Sequence, residues 1–174
     1  EDATLQLRRA TRYMQRDIIA SGTSKCAVYN VPGSLSGSSA GFDSIALSVL
    51  SCSINAEGDS VTKPGGEVYW QRNVLYYLTV PIGDTCNGGL ESIYNCDDRC
   101  PHKVLIRKVI DRPPATAPTD SPMNADEVVL SNAEVIPYLT RPSGTSVGAM
   151  ISEPNVTGVQ VVANKLLSMR SFIN

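Results

Sequence analysis

EDATLQLRRATRYMQRDIIASG, residues 1–22, opens the chain and decides how the rest is read. Ala3, Leu7, Ala10, Met14 and Ile18 recur at steps of four and three, the spacing that gathers apolar side chains into one stripe on an α-helix. Tyr13 and Ile19 widen the flanks of that stripe. Glu1 and Asp2 suit the positive end of the helix dipole, and Gly22 stands where a C-terminal cap belongs. A helix of about 20 residues reaches roughly 30 Å.

After Gly22 the pattern changes to strands and turns. Residues 30–42 are rich in Gly and Ser and read as loop. Residues 44–54 alternate as Ile45, Leu47 and Val49, then change phase to Leu50, Cys52 and Ile54, which predicts a β-bulge near Val49–Leu50. Gly58, Pro64, Gly65 and Gly66 mark residues 55–66 as turns. Residues 67–80 then place Val68, Trp70, Val74, Tyr76, Leu78 and Val80 on one face, with Arg72 the break in it. The two runs are expected to pair as an antiparallel hairpin. Residues 81–102 form an irregular loop, Val104 to Ile110 a further strand, and the prolines of 111–126 another loop. Shorter strands are expected near 127–131, 133–139, 146–152 and 156–163, with 164–174 ambiguous between strand and helix.

One helix followed by strands indicates a loop-rich α+β fold, the helix stripe covering one face of an antiparallel sheet. The 174 residues fit a single domain, 1–22 its helix and 23–174 its β-rich head. A chain of this length buries about 70% of its unfolded surface, enough for a core without a metal. Charged residues make up 18% of the chain and the net charge is −2. With a pI near 5.4, no overall field draws nucleic acid or an anionic membrane.

Cys26, Cys52, Cys86, Cys96 and Cys100 point to an oxidising compartment, and their odd number leaves at least one thiol over once pairs form. Cys96 and Cys100 are near enough in sequence for a small local loop, and Cys26 with Cys52 would tie the helix exit to the sheet; sequence alone does not choose. Cys86, Cys96, Cys100 and His102 are also the ligand types of a tetrahedral zinc site, but their spacing is irregular and disulfide or plain thiol is the simpler account. Asp84, Asn87, Asp97 and Asp98 share that loop and could offer oxygens to calcium, although no EF-hand spacing is present and a solvated acidic loop explains them as well. Asn155-Val156-Thr157 matches a short glycosylation sequon. With one histidine, no nucleophile elbow, no phosphate-binding loop and no metalloprotease His pair, catalysis is not expected, nor is any cofactor.

Arg8, Arg12 and Arg16 lie four residues apart and so share a helix face beside the apolar stripe. A solvated charged face is the plain account. The sharper one is an interface with acidic groups of a neighbouring subunit, for which guanidinium is well suited.

Four segments, in order, carry a family resemblance. Arg9-Ala-Thr-Arg-Tyr-Met-Gln-Arg-Asp-Ile18, followed by Ala20-Ser-Gly22 and Cys26, resembles the helix end of W-type minor type IV pilins and of the J-type pseudopilins of type II secretion. Glu67-Val-Tyr-Trp-Gln-Arg-Asn-Val-Leu-Tyr-Tyr-Leu78 is similar to their central strand, Leu105-Ile-Arg107 to the strand that follows, and Val128-Val-Leu-Ser-Asn132 to the segment opening their last sheet. The resemblance covers about residues 1–140. It implies a pilin-like head domain acting in filament priming or at the tip, with other minor pilins, pseudopilins and the major pilin as partners. It also implies anchoring in the inner membrane by an upstream apolar helix before assembly, then a place in the periplasm or a surface filament. Glu1 is not the family's N-terminal glutamate. An exported adhesin-like module binding a glycan or protein is the alternative.

Overall fold

The computed structural model describes residues 3–32, 35, 45–83, 103–114, 117–119, 125–166 and 169. Helix α1 runs from Ala3 to Ser21 (Ala3–Ser21), and Gly22 ends it as expected, its N–H donating to the Ile18 carbonyl at 3.1 Å and its φ of 73° lying where a side chain would be strained. A short 3-10 turn, Thr23–Lys25, leads into β1 (Cys26–Asn30). The sheet continues with β2 (Ile45–Cys52), β3 (Trp70–Thr79), β4 (Lys103–Ile110) and β5 (Val156–Leu166). Its order is β1-β2-β3-β4-β5, every neighbour antiparallel, so the α+β expectation and the β2–β3 hairpin both hold.

Both faces of the central strands are covered. On one face Leu47, Val49, Val74, Tyr76, Leu78 and Leu105 pack with Ala10, Tyr13, Met14 and Ile18 of α1. On the other, Ala46, Leu75, Tyr77 and Ile106 pack with Leu130, Val135, Leu139 and Met150. This two-sided burial explains the change of phase in residues 44–54: the alternation ends because both faces need apolar side chains. The expected bulge at Val49–Leu50 is absent. Val49 pairs with Val74 and Leu50 with Asn73, and the register shifts only between Ser51 and Cys52.

The second face corrects three expected strands. Residues 125–151 cover it with helical turns: the 3-10 turn Ala125–Glu127, α2 (Asn132–Val135), the 3-10 turn Ile136–Tyr138 and α3 (Gly148–Ile151). Of the four strands expected after residue 126, only the last, now β5, is one. Ser131 and Glu134 show why. The Ser131 N–H and hydroxyl both donate to Glu134 Oε2, at 2.8 and 2.7 Å, a capping box that starts a helix where a strand was read.

Beyond Cys52 the chain leaves the sheet as an arm, residues 53–69, knitted by backbone hydrogen bonds from Ser53 to Tyr69, Val61 to Ser53 and Tyr69 to Val61. Lys63 ties the arm to the second-face cover through Glu127, Nζ to Oε2 at 2.6 Å.

Candidate functional site

The surface α1 presents to the sheet is not the stripe the sequence suggested. Ala10, Met14 and Ile18 do pack on the sheet, but Ala3 and Leu7 are exposed, Leu7 by 60%. Gln6, Asp17 and Ser21 turn inward instead. The helix is rotated because the sheet face beneath it is itself partly polar. Arg107 on β4 and Gln160 on β5 point toward α1, and leaving them without partners at a seam poor in water would cost more than burying polar helix residues.

Three residues form the centre of the seam. Asp17 Oδ2 accepts from the Tyr76 hydroxyl at 2.5 Å and from Arg107 Nε at 2.8 Å, and Arg107 Nε also lies 3.1 Å from the Tyr76 oxygen. Burial pushes the Asp17 carboxyl upward, but the Arg107 and Tyr76 hydrogen bonds outweigh it and hold the group below its ordinary range. Burial, and then the Asp17 carboxylate, drive the Tyr76 phenol well above its ordinary value. Toward the N-terminal end of α1 from this triad, Gln160 Nε2 donates to the Tyr13 hydroxyl at 2.9 Å and the Asn164 N–H donates to Gln6 Oε1 at 3.3 Å. The underside of α1 is thereby fixed in register along its length.

The outer side of α1 carries the expected arginines, but not as one set. Arg16 is turned aside: its Nε donates to Asp17 Oδ1 at 3.1 Å and its guanidinium lies 5.1 Å from the centre of the Tyr13 ring. Arg8 and Arg12 are exposed, and with Arg9, Leu5, Gln6 and Tyr13 they line an open hollow of about 450 Å³. Arg9, which the four-residue spacing left out, takes the place of Arg16. Ile19, 80% exposed, extends the outer face toward the helix end. Gln160, against a smaller effect of burial, and then Arg9 and Arg16, lower the Tyr13 phenol at the hollow's edge.

Cys26 and Cys52 are both free thiols, and both meet the exit of α1. Cys26 Sγ lies 3.2 Å from Ser21 Oγ and 3.4 Å from the Gly22 carbonyl oxygen, while Cys52 Sγ lies 3.6 Å from that of Ala20. Both thiols stand beside the helix exit and are not joined to each other. Cys86, Cys96, Cys100 and His102 lie outside the described residues, as do Asp84, Asn87, Asp97 and Asp98. Asn155 is described, and its amide donates to the Tyr138 hydroxyl at 3.1 Å. Among the described residues, no group of three or more His, Cys, Asp or Glu could hold a metal ion, and no helix is long and apolar enough to cross a membrane.

Lys108 on β4 was missed by sequence reasoning. It is fully buried, yet its ammonium donates to the Tyr138 carbonyl (2.8 Å), Thr140 Oγ1 (2.7 Å) and Glu153 Oε2 (2.5 Å). Burial lowers its pKa, partly offset by Glu153. The Tyr77 hydroxyl donates to the Thr140 carbonyl at 2.7 Å, so the network rivets the second-face cover to the sheet. Its role is structural: every donor points to a carbonyl or side chain of that cover.

No family model matches the chain, no curated protein matches it, and no solved structure does.

Proposed function

We propose that this chain is the head of a type IV pilin-like subunit, a structural component of a bacterial pilus or of a type II secretion pseudopilus, acting as a minor subunit in priming or at the tip. One observation carries the reading. The four segments whose sequences resemble that family are distant in the chain but meet in two contacts. Asp17 of the helix segment, Tyr76 of the central strand and Arg107 of the next strand form the seam triad. Asn73 of the same central strand donates through Nδ2 to the Val128 carbonyl at 2.9 Å and accepts from the Leu130 N–H at 3.0 Å, which docks the fourth segment. Contacts between segments that the resemblance alone had singled out are what supports the reading.

The division of labour follows from the seam. A helix locked in register on a rigid sheet transmits position from its N-terminal half to the head. Loops on that sheet are where recognition is placed. On this reading an upstream apolar segment anchors the precursor in the inner membrane and later enters the filament core, while the head faces the periplasm or the exterior. The fourth segment differs from the expectation in one respect: it lies along Asn73 as irregular chain and is no sheet strand.

The test is to shear surface filaments from the source cells and probe them with antibody raised against this chain. Labelling at filament ends, or at sparse points along them, is the expected result. Recovery of the chain only in the filament-free soluble fraction overturns the reading and favours an exported binding module.

A further inference from the structure

The chain carries two surfaces of opposite charge that form no ion pair with each other among the described residues. One is the hollow on α1 with the exposed guanidinium groups of Arg8, Arg9 and Arg12 at its rim and Leu5 as its apolar wall. Among the described residues no carboxylate forms an ion pair with these three arginines. The other is the tip of the arm. There Asn55 Oδ1 accepts from the backbone N–H groups of Glu57 (3.1 Å) and Asp59 (2.8 Å), and the Asn55 N–H donates to the Asp59 carbonyl at 2.9 Å. Gly58, at φ 93°, completes the turn. Glu57 and Asp59 are both exposed on this closed turn, and neither forms an ion pair among the described residues. The one lysine of the arm, Lys63, is taken up by Glu127, so it does not neutralise the tip.

The base of the arm lies away from the arginines. The arm leaves the sheet at Cys52, which touches Ala20 at the C-terminal end of α1. The arginines sit eight to twelve residues earlier, about 12–18 Å down the helix axis, at the end where Gln6 meets Asn164 of β5. A basic concavity and an acidic turn that do not pair with each other in one fold give each copy one surface to offer and one to receive, the condition for a heterologous contact between copies.

We propose that the Glu57–Asp59 turn of one copy of this chain seats in the Arg8–Arg9–Arg12 hollow of a second copy. Carboxylates meeting guanidinium groups in a walled hollow form charge-assisted hydrogen bonds. Each such pair at an exposed rim is weak, so the contact is salt-sensitive and concentration-dependent. The proposal rests on these charges alone and does not require the filament reading; either can fail while the other stands.

Sedimentation equilibrium on the full 174-residue chain tests it. At millimolar protein the chain should self-associate in about 20 mM salt, and its dissociation constant should rise roughly tenfold or more in about 300 mM salt as screening shortens the reach of the charges. Arg8→Glu with Arg12→Glu should sediment as a monomer, and so should Glu57→Lys with Asp59→Lys. All four residues are exposed, and an unchanged far-UV spectrum confirms that each variant is folded. An equimolar mixture of the two reversed variants should associate again, because the acidic hollow of one now faces the basic turn of the other. A wild-type chain monomeric at millimolar concentration in low salt overturns the proposal. So does a mixture that does not regain association, and so does an arm reversal that leaves association intact.

Discussion

Arg107 of β4 reaches across the helix–sheet seam to Asp17 of α1, Nε to Oδ2 at 2.8 Å, with side chains only 17% and 11% exposed. The pair sits beside the Tyr76 hydroxyl, which bonds the same carboxylate oxygen. An ion pair so placed does more to fix the helix in one register than to add stability, because the desolvation of both groups offsets much of their attraction. Breaking it from one side is another matter.

Asp17→Asn should therefore lower stability by about 2–3 kcal/mol, toward the lower end for a buried pair because some solvent reaches the site. Arg8→Ala, on the outer helix face, should change it by less than about 0.5 kcal/mol. Urea midpoints at constant m-value measure both. Equal effects for the two variants would mean that the seam is not where α1 is held.

The same carboxylate sets an acid limit. Its folded pKa lies below the ordinary value, so its contribution is fully present above the unfolded pKa and is lost as pH falls through the folded one. Glu134 behaves alike: its bonds from Ser131, and then from Arg112, hold it at about 2. The stability difference between wild type and Glu134→Ala should be constant near neutrality and shrink as pH falls from about 4.5 toward about 2. A difference unchanged across that window would show that the carboxylate does not cap α2.

Lys108→Met should cost about 3 kcal/mol, since it strips a half-buried carboxylate and two further acceptors of their donor. Lys108→Met with Glu153→Leu should cost clearly less than the sum of the two single changes, because no charge is then left alone. Additive effects in a double-mutant cycle would mean that the pair is not coupled.

Gly22→Ala should destabilise by about 1–3 kcal/mol although open space surrounds the position. With φ at 73° and ψ at 160°, the backbone adopts a conformation that side chains avoid. Thermal unfolding reads the loss, and an unchanged melting temperature would show that the helix exit relaxes without strain.

Much of the framework was legible in residue patterns. The helix, its glycine cap, the β2–β3 hairpin, β4 and β5 follow from periodicity and turn residues, which report burial directly. The seam was not legible from periodicity, because Asp17 and Gln6 are buried for the partners they find on β4 and β5, and an apolar stripe carries no information about those partners. Asp17 and Arg107 did stand inside segments singled out for resemblance, so a reading that asked which motif charges were complementary could have paired them. The second-face cover was misread for a different reason. Its apolar residues satisfy a strand as well as a short helix, and the deciding signal was the pair Ser131 and Glu134, three residues apart. Lys108 looked like an ordinary strand-surface lysine. Only the cover folded over it makes it interior.

The filament reading makes its sharpest demand on the coding sequence upstream of Glu1. Translating that region should reveal about 20 consecutive apolar residues running without a break into α1, the length needed to cross a bilayer. A polar segment there, or a cleavable export signal ending next to Glu1, would contradict the account.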